Sequence, residues 1–260
     1  PTEHGFVSAV PEGDRIRIFW LDGRETVAPP GGHDGRSGAG AMTLRTTLVG
    51  DRIEKSEVLD SRVCDCCQTA AAATAKGAIV AYRDRSDDEI RDIAVVRRGA
   101  GGWTAPEPVA GEGWKIAGCP VNGPAVAASG RRAAVAWYTQ GANRSRVQVA
   151  FSQDAGASFA PPIVVDGNRP LGRVDVVLDE NGDALVLWVA SEGKAAAIRL
   201  ARVTSAGKVG PALAVSATET SRSSGFPRLE RTGGLLVLAW VEPAEPFRLR
   251  AATVRAAAVR

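Results

Sequence analysis

The chain is poor in the residues that build many enzyme centres. It has two histidines, two tyrosines, one methionine and four cysteines in 260 residues. There is no phosphate loop, dinucleotide fingerprint, Ser-His-Asp order or EF-hand, and zinc-finger and haem-attachment spacings are absent too. No run of 18 apolar residues occurs, which excludes a transmembrane helix. Neither sign of charge dominates, with 32 basic against 29 acidic residues. That balance, with the arginines scattered along the chain, argues against a nucleic-acid partner. The chain opens at Pro1 and its one methionine is Met42. A natural N-terminus, with any signal peptide, is therefore expected to have been removed.

Helical periodicity is missing as well; a different repeat takes its place. Short apolar runs ending in an aromatic recur as 16–20, 78–82, 133–137, 184–188 and 236–240, closing on Trp20, Tyr82, Trp137, Trp188 and Trp240. A turn rich in Gly, Asp, Asn or Ser precedes each run, and another short apolar segment precedes the turn, which is a hairpin signal. In the third copy a second strand pair follows, at 146–151 and 162–165. Four short strands repeated at roughly 50 residues predict an all-β fold, a β-propeller of four-stranded antiparallel blades. A β-sandwich would not sustain such a period. The chain reads as one domain, 1–260, with blades at 1–60, 61–113, 114–168, 169–219 and 220–260. The short last copy leads us to expect a sixth blade in the intact protein.

Ser152, Asp154, Gly156 and Phe159 lie in the run Ser-Gln-Asp-Ala-Gly-Ala-Ser-Phe. It resembles the Asp-box, or BNR, hairpin of sialidase-type propellers. Asp and Gly suit the turn, and the aromatic is placed to pack between sheets. The segments 4–8, 20–24, 82–86 and 119–124, with the Cys-x-Cys-Cys run at 64–67, are similar to a group of bacterial exported proteins of sialidase-like fold. That resemblance implies a periplasmic or secreted protein, and an exported partner protein is open. It implies nothing about activity.

In such blades, the loop joining strands two and three lies on the same end as the link between blades. This end collects Glu3 and His4, the cysteines, Asn122, Arg173 and Arg222, together with Arg83, Arg85 and Glu89. Cys64, Cys66 and Cys67 fall within four residues, and Cys119 stands at the matching point of the next link. Two readings follow. An exported protein with an even cysteine count pairs them as disulfides. Alternatively, Cys64, Cys66, Cys67 and Cys119, with His4, hold a soft metal. Copper(I) tolerates the crowded spacing better than zinc, which prefers four tetrahedral ligands.

A hydrolase reading stands beside these. Sialidases, which the fold resembles, clamp an acidic sugar with three arginines because guanidinium matches a carboxylate. Arg83 or Arg85, Arg173 and Arg222 are the candidates, with Asn122 as a further ligand-binding residue. No tyrosine matches the nucleophile position: Tyr82 replaces the tryptophan of the other blades and reads as a packing residue. The alternating charges of 83–92 read as a salt-bridged loop that could orient the cysteine segment. His33 sits in a Pro- and Gly-rich loop. The leading expectation is a propeller binding copper(I) at the cysteine end. The alternatives are an exo-α-sialidase-type hydrolase acting on acidic sugars, or a non-catalytic interaction propeller with bridged cysteines.

Overall fold

A computed structural model describes residues 3–26, 40–221, 224–242 and 245–260. Five antiparallel sheets follow one another along the chain. The first holds β1 (His4–Glu12), β2 (Arg15–Asp22), β3 (Thr43–Val49) and β4 (Glu57–Asp60). In the second, β5 (Ala70–Thr74), β6 (Gly77–Arg83) and β7 (Ile93–Gly99) are flanked by the short β8 (Gly102–Trp103) and β9 (Glu107–Pro108), both paired with β7. The third has β10 (Ala125–Ser129), β11 (Arg132–Thr139), β12 (Arg146–Ser152) and β13 (Ile163–Asp166). The fourth has β14 (Pro170–Leu178), β15 (Ala184–Glu192), β16 (Ala195–Val203) and β17 (Leu213–Thr218). The fifth has three described strands, β18 (Arg228–Thr232), β19 (Leu235–Glu242) and β20 (Arg248–Arg255). Adjacent blades meet through their first strands, β1 with β5, β5 with β10, β10 with β14, and β14 with β18. The architecture is a β-propeller.

In the second, third and fourth sheets the second strand is apolar and buried without alternation, because neighbouring blades cover both its faces, whereas β2 and β19 of the outer sheets alternate. Trp137 and Trp188 are buried there, among apolar clusters that span adjacent blades. The recurring aromatic has a polar task besides packing. Tyr82 donates its hydroxyl to Asp60 at the end of the first blade, at 2.6 Å. Trp137 Nε1 donates to Glu112, past the second blade, at 2.9 Å. Trp188 Nε1 donates to Asp166, at the end of the third, at 2.7 Å. A buried ring with a polar tip needs a partner, and here a carboxylate from the preceding blade supplies it. In these three blades the repeated aromatic is thus an inter-blade staple, whereas Trp20 Nε1 donates within its own strand, to Asp22. Tyr82 keeps the tryptophan's role, and burial holds its phenol in the neutral form.

At one end of the blades, the 152–159 turn joins β12 to β13. Asp154 accepts from Ser152 Oγ, Ser158 N and Ser158 Oγ at 2.7–2.9 Å. Ser152 Oγ accepts the Gly156 amide, and Gly156 takes the left-handed φ of 81° that the turn requires. Phe159 packs against apolar residues of the second and third sheets. The Ala155 amide donates to Arg131 in the neighbouring β10–β11 turn. The cysteines lie at the opposite end, where blade links meet the loops between second and third strands: Cys64 N donates to Arg83 O and Ser191 N to Arg169 O.

Candidate functional site

The cysteine segment follows β4 and crosses to β5. Its start is clamped between two blades. Val63 N donates to Met42 O, and Cys64 N to Arg83 O at the end of β6. Its far end is clamped to the next link by Gln68, whose side-chain amide donates to Gly123 O at 3.2 Å and accepts from Gly123 N at 2.8 Å. A Cβ on Gly123 would lie 2.0 Å from Gln68 O, so only glycine permits this approach. Between the clamps the chain turns tightly enough to bring the sulfurs of Cys64, Cys66 and Cys67 within 4.8 Å of one another.

The four cysteines divide in two. Cys66 and Cys119 form a disulfide joining the link between the first and second blades to the link between the second and third. Cys64 and Cys67 are free and buried, with their sulfurs 2.6 Å apart. Cys64 Sγ also lies 3.8 Å from Cys66 Sγ. The Cys67 thiol donates to Cys64, and with the Cys66 amide and the Arg91 guanidinium, 3.4 Å away, it holds the Cys64 thiol down at about 6 against the opposing effect of burial. Burial, and then donation to Cys64, pushes Cys67 up. One thiol is therefore poised as a thiolate, and its partner as the proton-bearing donor.

The charged loop after β6 supports this arrangement. Glu89 binds Arg85 at 2.7 Å and Arg91 at 2.7 Å, and Arg85 reaches Asp65 of the cysteine segment at 3.2 Å. Hydrogen bonds from Arg85, then from Arg91, hold the Glu89 carboxyl down at about 2. Asp92 accepts the amides of Glu112, Gly113 and Trp114, fixing the next link. Asp65, Cys66, Arg85, Glu89, Arg91 and Cys119 line an open cleft of about 410 Å³. A larger cleft of about 650 Å³, between the third and fourth blades beside Arg144, Arg146 and Arg169, contains no cysteine.

Several expected site residues have other work. Arg83 is no sugar clamp: it is 1 % exposed and donates to the carbonyls of Asn122, Arg91 and Tyr138 at 2.5–2.8 Å, with its guanidinium over the Trp114 ring. Arg173 lies inside β14, not in a link, where its guanidinium donates to Ser224 Oγ and Thr220 O. Asn122 is spent tying the third blade to the fourth, through Leu171 O and the Arg173 amide. Arg85 does reach the cleft, but paired with Glu89 and Asp65. His4 faces Asp22 at 3.5 Å and is not part of the sulfur cluster. Cys119 is joined to Cys66 and is not a thiolate ligand in this state. Arg222 and His33 lie outside the described residues.

One spacing was passed over in the sequence, and one role was seen only in outline. Cys64 and Cys67 stand at Cys-x-x-Cys spacing inside the Cys-x-Cys-Cys run, a signal hidden by the intervening Cys66. Arg91 and Glu89 belong to the charge run read as orienting the cysteine segment, but the contact of Arg91 with Cys64 itself was not singled out.

No protein family matches the sequence, and no curated protein does. Solved structures match in fold. A protein of unknown function from Dyadobacter fermentans aligns over 98% of this chain and 80% of its own, with TM-score 0.58 and 14% identity. A fucose-specific lectin from Aleuria aurantia aligns over 98% and 78%, with TM-score 0.56 and 10% identity. The Trypanosoma rangeli sialidase aligns over 97% of this chain but 47% of its own, with TM-score 0.51 and 11% identity. At these identities the likeness is one of architecture: the chain folds as a propeller similar to that of sialidases and places a cysteine cluster at one end of it.

Proposed function

We propose that this propeller binds a soft monovalent metal ion, copper(I), at the thiolates of Cys64 and Cys67. The observation that carries the reading is the gathering of three sulfurs within 4.8 Å, two of them free, with the Cys64 thiol held at about 6. Copper(I) accepts two or three soft sulfur ligands. Cys66 is the third donor when its disulfide is open. Two thiolates around a monovalent cation leave one negative charge, which Arg91 beside Cys64 and Arg83 near Cys67 offset. Zinc is disfavoured because its preferred four-ligand set lacks a member: no histidine or carboxylate joins the sulfurs among the described residues. The Cys66–Cys119 disulfide supports an exported location, since such bonds persist in oxidising compartments.

The sialidase-type reading is weaker because Arg83 and Arg173 are consumed by structural partners. The sialidase and lectin in the comparison share only the fold.

The test is anaerobic titration of the full chain with copper(I) against a competing chromogenic chelator, alongside elemental analysis. About one tightly held copper per chain, lost in Cys64→Ser and in Cys67→Ser, is expected. Loss of all copper to the chelator from wild-type protein with Cys64 and Cys67 reduced would overturn the reading.

A further inference from the structure

The metal reading leaves one arrangement unused: a free thiol pair lies within reach of a formed disulfide. Cys64 Sγ is 2.6 Å from Cys67 Sγ and 3.8 Å from Cys66 Sγ, while Cys66 is bonded to Cys119. The two pairs also differ in access. Cys64 and Cys67 are each 1 % exposed, whereas Cys66 is half-buried, Cys119 is exposed, and both line the 410 Å³ cleft. A reagent in solvent meets the outer pair first, and the inner pair communicates with solvent through Cys66.

We propose that this end of the propeller is a thiol–disulfide exchange centre, in which the inner pair Cys64 and Cys67 trades its bond state with the outer pair Cys66 and Cys119. Exchange proceeds by thiolate attack on a disulfide sulfur, and the geometry supplies two such steps. First, Cys64 Sγ attacks Cys66 Sγ. The Cys64–Cys66 bond forms, the Cys66–Cys119 bond breaks, and Cys119 leaves as a thiolate into the cleft. Second, Cys67 Sγ attacks Cys64 Sγ. The Cys64–Cys67 bond forms, the Cys64–Cys66 bond breaks, and Cys66 leaves as a thiolate. Cys64 enters as the thiolate, so one proton, that of Cys67, passes to Cys66 or Cys119, and the negative charge Cys64 gave up remains on the other outer sulfur until water protonates it. One disulfide and two thiols are present before and after, so no outside oxidant or reductant is consumed.

The outcome is a dithiol in the open cleft, made from one that solvent could not reach. Its substrate class is a disulfide able to enter beside Arg85 and Arg91: the outer dithiol reduces it and returns to the Cys66–Cys119 bond. Arg91, 3.4 Å from Cys64 Sγ, and the Arg85–Asp65 pair hold the segment in place for the attack. Exchange needs no metal, so its failure and that of the copper reading are separable.

The experiment maps disulfides by mass spectrometry on the full chain, kept anaerobic with a copper chelator present. Samples are quenched in acid and alkylated after unfolding, at intervals from minutes to hours, the range of uncatalysed disulfide rearrangement. Wild type is expected to show two populations, one with the Cys66–Cys119 bond and one with the Cys64–Cys67 bond, each with two free thiols per chain throughout. Cys67→Ser, which lacks the second attacking thiol, should accumulate the Cys64–Cys66 bond. Oxidised glutathione added to the exchanged protein should form mixed disulfides at Cys66 or Cys119 and none at Cys64 or Cys67. A wild-type map holding Cys66–Cys119 alone at every interval would overturn the proposal, and that readout does not depend on any variant folding.

Discussion

The two ends of the blades are held by opposite means. At the turn end, the 152–159 hairpin satisfies itself: the partners of Asp154 lie within four residues of it. At the link end the ties that join the blades are long-range. Arg83 reaches carbonyls 39 and 55 residues away, and Gln68 and Gly123 pair across 55 residues. A local turn forms whatever surrounds it and carries little information about its neighbours. A non-local knot exists only when the blades have docked, so it can place reactive groups that no single blade would bring together.

That contrast can be broken, most severely at Arg83. Arg83→Met takes the guanidinium donor from three carbonyls and should cost roughly 3–5 kcal/mol in urea denaturation, as for breaking a buried charged network. A loss under about 1 kcal/mol would mean that water takes over the guanidinium's role. Removing the cross-link with the double variant Cys66→Ala and Cys119→Ala should cost about 4 kcal/mol, from the chain entropy of the loop it closes across 53 residues. A variant with an unchanged denaturation midpoint would show that the bridge is not a stabilising constraint. At the other end, Asp154→Ala should cost only about 1–2 kcal/mol, because its losses are confined to one turn.

Acidity sharpens the comparison within the link end. Glu89 is held down at about 2 by Arg85 and Arg91, so its contribution is complete above its ordinary 4.5 and is lost as pH falls towards 2. Burial raises Asp84 from 3.8 to about 6, which has the opposite sign: its contribution is complete below 3.8 and lost as pH rises through 6. Glu89→Gln should flatten the acid limb of the stability profile, and Asp84→Asn the fall between pH 4 and 6. Unchanged profiles in both variants would show that the loop is not coupled to folding. The smallest effect on stability should come from Arg91→Met, read by thiolate absorbance. Cys64 should titrate near 6 in wild type and higher in the variant; an unmoved midpoint would remove Arg91 from the site.

Much of the fold was legible because its cause is periodic. Covered second strands must be apolar, and their closing aromatics Tyr82, Trp137 and Trp188 must meet a carboxylate, so the same pattern returns in the three central blades. The end of the molecule carrying the site was legible for the same reason, since blade topology sends alternate loops to opposite ends. The individual roles were not. Arg83 ends β6 and Arg85 stands two residues on, yet one is a buried strut and the other lines the cleft. His4 was expected near the sulfurs and faces Asp22 instead. Direction within a link depends on which neighbour fills the space, and that neighbour comes from a distant part of the chain.

The sequence by itself determined the propeller, the number of repeated units in this chain, and the crowding of three cysteines onto one short segment. These follow from period, composition and spacing, which are properties of the chain read in order. Tertiary structure alone decided which cysteine bonds to which, which arginine is buried and which thiol is poised to ionise. Each of those depends on distances between blades, and a difference of an ångström or two separates a bonded pair of sulfurs from a reactive one.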